Sequence, residues 1–311
     1  MNKFLILVVL LISISCSQNT NEKTKQDKVA QKQVSKTQNI ITESYELMIP
    51  ENQKGLLIIF PCFPCDAENT KTEFGIENLA LENNIAVLMM NFNQHLWLTE
   101  NEKKELETII INAISKHPIN TGNTFIGGFS GGGNVSILLT DYLKSSGSVI
   151  QPKGLFIVDS PIDLLALYEV AKKTVEKNYS EVAVQEAQWI VSSFDEEFGT
   201  GDSSLMNYEN KSPYTSKTHS LKNASHLKDL TTRFYSEPDT LWWRENRQAE
   251  YVDMNAFYIE QLANDLRKRN GENSITYITT QNKGYRTNGD RHPHSWSIVD
   301  KKDLIDWMVD G

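Results

Sequence analysis

Short apolar runs alternate along the chain with longer segments in which apolar residues recur every three or four positions. Runs of the first kind, Leu56 to Phe60, Ile85 to Asn91, Thr124 to Gly128, Gly154 to Val158, Thr232 to Tyr235 and Ile275 to Thr279, have the length and composition of buried strands. Segments of the second kind predict helices near Lys71 to Glu82, Thr99 to Lys116, Asn134 to Lys144, Asn255 to Arg269 and Lys301 to Val309. Strand and helix in alternation predict an α/β fold: a mostly parallel sheet flanked by helices on both faces. Tyr45 to Ile49 would add an edge strand. From Leu164 to about Ser225 the helical pattern continues with no strand signal. So long an insertion is expected to form a helical cap over one end of the sheet, the alternative being helices packed on its side with no part in a site.

The N-terminus follows a different rule. Met1 to Lys3 and the apolar run Phe4 to Ile14, followed by Ser15 and Cys16, have the layout of a cleaved secretion signal. The run is too short to span a bilayer. Cysteine after a small residue at this place resembles the bacterial lipoprotein signal, with a departure at Ser13 where an aliphatic residue is usual. That resemblance implies removal of the leader, lipidation of Cys16, and membrane association through the lipid anchor in a bacterial cell envelope. Residues 17–42 are mostly Gln, Asn, Lys, Thr and Ser, a composition expected to serve as a flexible tether. The domain would then occupy residues 43–311.

Composition narrows the function. With 311 residues and 39% hydrophobic content the chain can bury one large core. A net charge of -9 argues against a nucleic-acid partner, because binding a phosphate backbone needs clustered positive charge.

Chemistry concentrates after the third of these strands. Thr124 to Phe129 leads directly into Ser130, and Gly131-Gly132-Gly133-Asn134 then opens a helix. A serine on so sharp a turn takes strained backbone angles, and Gly128 and Gly132 stand where strand and helix would otherwise collide. A glycine-rich turn can also cradle phosphate, but neither the lysine of a P-loop nor the acidic residue of a dinucleotide fold accompanies this one.

On Gly128-Phe129-Ser130-Gly131-Gly132 and its setting, residues 45–311 resemble the α/β-hydrolase superfamily, whose triad runs serine, acid, histidine along the chain. The resemblance implies Ser130 as nucleophile. It places the acid at Asp239 in Ser236-Glu237-Pro238-Asp239, with Glu237 as alternative, and the histidine at His294, with His292 as alternative. Oxyanion donors would be the amides of Gly131 and, in Pro61-Cys62-Phe63-Pro64-Cys65, of Phe63. The implied reaction is hydrolysis of an ester or amide through an acyl-enzyme. The substrate would be a small molecule or a carbohydrate- or peptide-linked ester, with no cofactor and no metal. His292 and His294 have no Cys, Asp or Glu cluster at metal-ligand spacing beside them.

Two other readings remain. Cys62-Phe63-Pro64-Cys65, between strand and helix, resembles the redox motif of thioredoxin-like oxidoreductases, although such a domain would be complete in about a hundred residues and would leave Ser130 unexplained. Within the hydrolase reading the same pair could form a disulfide that stiffens the loop carrying Phe63. The other reading is a non-catalytic binding module on the cell surface.

Overall fold

A computed structural model describes residues 37–310 apart from 93, 201–203 and 272–273. The leader, Cys16 and the tether as far as residue 36 lie outside the described residues.

Eight strands form one sheet: β1 (Gln38–Ile41), β2 (Tyr45–Ile49), β3 (Gly55–Phe60), β4 (Ile85–Met90), β5 (Thr124–Phe129), β6 (Gly154–Val158), β7 (Thr231–Ser236) and β8 (Ile275–Thr279). Their spatial order is β1-β2-β4-β3-β5-β6-β7-β8. The first two pairings are antiparallel and the other five parallel. Strands β3, β4, β5 and β6 are buried at every position, which is why they read as continuous apolar runs. The pleat divides them between two cores: Leu56, Ile58 and Phe60 face one layer, Leu57 and Ile59 the other.

The helices that cover these faces are α1 (Ala67–Glu73), α2 (Glu77–Glu82), α3 (Glu100–Lys116), α4 (Gly131–Ser146), α9 (Asn255–Asn270) and α10 (Lys301–Asp310). Leu106 and Ile110 of α3, Leu138 and Leu139 of α4 and Ile259 and Leu262 of α9 fill the first layer. Ala67, Ala80, Leu304, Ile305 and Met308, from α1, α2 and α10, fill the second. Helix α3 begins at a reciprocal cap, in which Thr99 Oγ1 accepts from the Glu102 amide and Glu102 accepts from the Thr99 amide.

Three differences from the sequence reading have local causes. Gln38–Ile41, expected to end the tether, pairs antiparallel with β2, so Tyr45–Ile49 lies inside the sheet edge. That strand is mostly exposed, with only Ile40 packed on the core, so two apolar residues at the end of a polar stretch are too short a signal and backbone pairing to β2 supplies the rest. The helix expected over 71–82 is two helices, broken at Gly75, which sits at φ +56. Helix α8 (Thr240–Arg247), absent from the sequence reading, is only eight residues long and has no fully buried residue.

Between β6 and β7 the expected insertion forms α5 (Leu164–Lys177), α6 (Glu181–Phe198) and α7 (Leu205–Lys211). Asp163 caps α5 by accepting from the Ala166 amide at 3.0 Å, and it also accepts from the amide and hydroxyl of Ser216 at 2.7 and 2.6 Å. Burial pushes its carboxyl pKa up, against the lowering effect of these bonds. Trp97, Phe198 and Tyr208 pack ring to ring, at 5.0 and 4.5 Å between centroids, and tie α6 and α7 to the loop after β4. Parallel strands bring their carboxyl ends to one rim, where open α/β sheets hold their sites.

Candidate active site

Ser130 follows the central strand β5 with φ 54 and ψ -126, in the left-handed half of backbone space that a β-carbon disfavours. Its amide donates to the Val158 carbonyl at 2.9 Å, and its own carbonyl accepts from Gly133 at 3.0 Å. The glycines around it are required by contact. A β-carbon on Gly128 would come within 2.3 Å of the Gly132 carbonyl oxygen, and one on Gly132 within 2.2 Å of the Pro61 carbonyl oxygen. Strand, helix and the loop after β3 therefore meet backbone to backbone beneath the serine.

That third segment carries Phe63. A β-carbon on Gly131 would stand 3.5 Å from the Phe63 amide nitrogen, so the two amides expected as oxyanion donors lie on neighbouring backbone. The Gly131 amide belongs to the first turn of α4, whose N–H groups have no partner within the helix. Cys62 and Cys65 are joined as a disulfide with their Cα atoms 5.0 Å apart, closing a short ring around Phe63 and Pro64. The Cys65 amide donates to the Cys62 carbonyl at 2.8 Å, and Asp66 then caps α1. The Phe63 ring stacks on Trp189 of α6, centroids 5.0 Å apart, which joins this loop to the cap.

His294 lies between β8 and α10. Its Nδ1 is 2.6 Å from Oδ2 of Asp159, and its ring packs on Phe129 at 4.5 Å between centroids. Asp159, immediately after β6, is 6% exposed and has φ 42. Its amide donates to the Tyr235 carbonyl at 2.8 Å, and its carbonyl accepts from Asn255 Nδ2, at the start of α9, at 2.9 Å. The carboxylate is thus fixed by β7 on one side and α9 on the other.

The acid expected from the sequence was Asp239, or else Glu237, and the structure places neither on the histidine. Asp239 caps α8 by accepting from the Trp242 amide at 3.0 Å and pairs with Arg291 at 2.7 Å. Glu237 also pairs with Arg291, at 2.5 Å, and accepts from Thr280 Oγ1 and the Lys283 amide, both at 2.8 Å. A guanidinium three residues before His294 draws both carboxylates to itself. The signal for Asp159 was present as an aspartate ending the buried run Gly154 to Val158, next in the chain after the serine strand. Position alone does not separate it from Asp239, because each stands at the carboxyl end of a parallel strand.

His292 does not meet Asp159. Its Nδ1 lies 3.0 Å from the His294 carbonyl oxygen, and its ring packs edge-on against Trp242 at 4.8 Å. Burial first, and then the charges of His294, Arg286 and Arg247, push its pKa down to about 3, so it is neutral at neutral pH.

Ser130, Asp159 and His294 line one cavity of about 540 Å³, a size suited to a small-molecule ligand. Phe63 also lines it, and Leu167 and Val170 of α5 and Ala187 and Ile190 of α6 give it apolar lining. The inserted helices therefore cover the site. Among the described residues no cluster of three or more His, Cys, Asp or Glu side chains is placed to hold a metal ion.

No protein-family model matches the chain, and no curated protein matches it. Solved structures do. FphF of Staphylococcus aureus, a fluorophosphonate-binding serine hydrolase, superposes with a TM-score of 0.52 at 13% identity over 88% of this chain and 97% of that one. MPT51 (FbpC1) of Mycobacterium tuberculosis gives 0.53 at 13% identity over 89% and 97%, and carboxyl esterase 2 of Tuber melanosporum gives 0.51 at 14% over 91% and 87%. The shared architecture is the α/β-hydrolase fold. It spans the described chain, so Cys62 and Cys65 sit in one loop of a large sheet and not in a small thioredoxin-like unit.

Proposed function

We propose that the protein is a serine hydrolase that cleaves a carboxylic ester, or an amide, through an acyl-enzyme on Ser130. The observation that carries this reading is the 2.6 Å contact of His294 Nδ1 with Asp159 inside the cavity that also holds the strained Ser130. With its Nδ1–H donated to Asp159, the imidazole presents Nε2 as a proton acceptor. His294 takes the proton of Ser130 as Oγ bonds to the substrate carbonyl carbon, and the Gly131 and Phe63 amides hold the resulting oxyanion. The bond to the leaving group breaks as His294 returns the proton to it. Water, deprotonated by the same imidazole, then releases the acid and restores the serine. Asp159 orients the imidazole and stabilises its charged form, the role first expected of Asp239.

A fluorophosphonate probe tests this directly, and the likeness to FphF makes it the natural reagent. Wild-type protein is expected to label, Ser130→Ala to lose labelling completely, and Asp159→Asn to label at least about a hundredfold more slowly. Asp239→Asn should stay close to wild type in rate. A folded protein that never labels would overturn the reading, and equal slowing by Asp159→Asn and Asp239→Asn would overturn the choice of acid.

We also propose that Cys16 is lipidated after removal of residues 1–15, which would hold the enzyme at a bacterial envelope membrane. Metabolic labelling with palmitate should mark the wild-type protein, while Cys16→Ser should be unlabelled and recovered in the soluble fraction. An unlabelled wild type that fractionates as soluble protein would refute the anchor.

A further inference from the structure

Charge around the cavity is unevenly neutralised. Of the acidic residues lining it, Asp159 is engaged by His294, Glu237 by Arg291, and Asp253 by Lys173 at 2.8 Å. The cap contributes Glu186, an exposed side chain on α6. Two arginines line the same cavity: Arg247, half-buried at the end of α8, and Arg286, exposed in the loop after β8. Among the described residues neither guanidinium has an ion-pair partner, whereas Arg291 nearby has two. Their proximity to the reaction centre is felt at His292, whose protonation both oppose, and whose ring is 6.2 Å from that of His294. Two unpaired guanidinium groups at one cavity are conspicuous in a chain of net charge -9. An arginine fork binds a carboxylate through two parallel hydrogen bonds, and partial burial strengthens that pairing.

We infer that the cavity selects esters bearing a carboxylate, held by Arg247 and Arg286 while the ester carbonyl lies at Ser130 and the apolar part of the substrate lies against α5 and α6. A half-ester of a short dicarboxylic acid has this chemistry. The inference rests on the hydrolase reading for its turnover, but the anion site can be tested apart from it.

Two p-nitrophenyl esters of similar shape separate charge from size: the valerate, and the glutarate half-ester, which ends in a carboxylate where the valerate ends in a methyl group. Wild-type kcat/KM should favour the glutarate half-ester by about tenfold or more. Arg247→Gln with Arg286→Gln should remove that preference, mainly through KM, and Arg247→Lys with Arg286→Lys should keep part of it. High salt should erode the preference in the wild type. A preference for valerate, or a ratio unmoved by the glutamine pair, would overturn the inference. Calorimetric titration of Ser130→Ala with free glutarate supplies the second readout. Arginine-dependent glutarate binding by a protein that hydrolyses neither ester would sink the hydrolase reading and leave the anion site standing. Valerate hydrolysis with no glutarate preference and no glutarate binding would do the reverse.

Discussion

At the scale of single residues, two histidines separated by one proline have opposite surroundings. His294 faces a carboxylate, while His292 is packed against Trp242 and Trp243 and feels the positive charges of His294 and the two unpaired arginines. The consequence for His292 is a stability dependence on pH with a definite sign. Its pKa is lowered from the ordinary 6.5 to about 3, so between those values the unfolded chain binds a proton that the folded chain refuses. Stability is therefore unaffected by this group above about pH 6.5 and falls as the pH drops from there toward 3. His292→Gln, which cannot take up a proton, should flatten that part of the decline. Melting temperatures of both proteins at intervals across this range measure it, and parallel curves would show that His292 has no part in acid sensitivity. Arg291 likewise decides by position. By pairing with Glu237 and Asp239 it commits both to structure and leaves Asp159 as the carboxylate on His294.

At the scale of elements, the site is a meeting of segments whose backbones must touch. Gly128 and Gly132 let β5, α4 and the loop after β3 approach within distances no β-carbon allows. The Cys62–Cys65 disulfide then holds that loop, and Phe63–Trp189 stacking couples it to α6. In the chain-entropy account a ring this short contributes only about 2 kcal/mol to stability, so its main effect is expected on the position of the Phe63 amide. Cys62→Ala with Cys65→Ala should lower kcat by about tenfold while shifting KM and the melting temperature little. Unchanged kcat in the double variant would mean that the disulfide does not position the amide. Helix α8 shows a different balance. Its residues are all at least partly exposed, and it is fixed by the Asp239 cap, by the ion pair of Arg244 with Glu250 at 3.0 Å, and by Trp242 and Trp243 against His292.

At the scale of the whole molecule, the chain itself determined the layered sheet. Strands buried on both faces must be apolar throughout, and the helices between them must be apolar on one side, so both periods are written in the sequence. It determined Ser130 and its glycines too, because strand, sharp turn and helix are consecutive residues whose steric demands are local. For the histidine, the resemblance pointed to His294 with His292 as alternative, and it is His294 that the structure sets on Asp159. The pairing of that histidine was left to the tertiary structure. Asp159 and Asp239 both end parallel strands, and the choice between them depends on Arg291, far from either in sequence but in contact with Asp239 in space. The first strand was likewise decided by its neighbour, since Gln38–Ile41 gains its order mainly from backbone bonds to β2, with Ile40 alone packed on the core. The cap's place over the cavity, and the two arginines left unpaired there, arise from contacts between segments brought together only when the sheet closes its order. Local sterics and periodicity are properties of neighbours in the chain. Electrostatic partners are properties of neighbours in space.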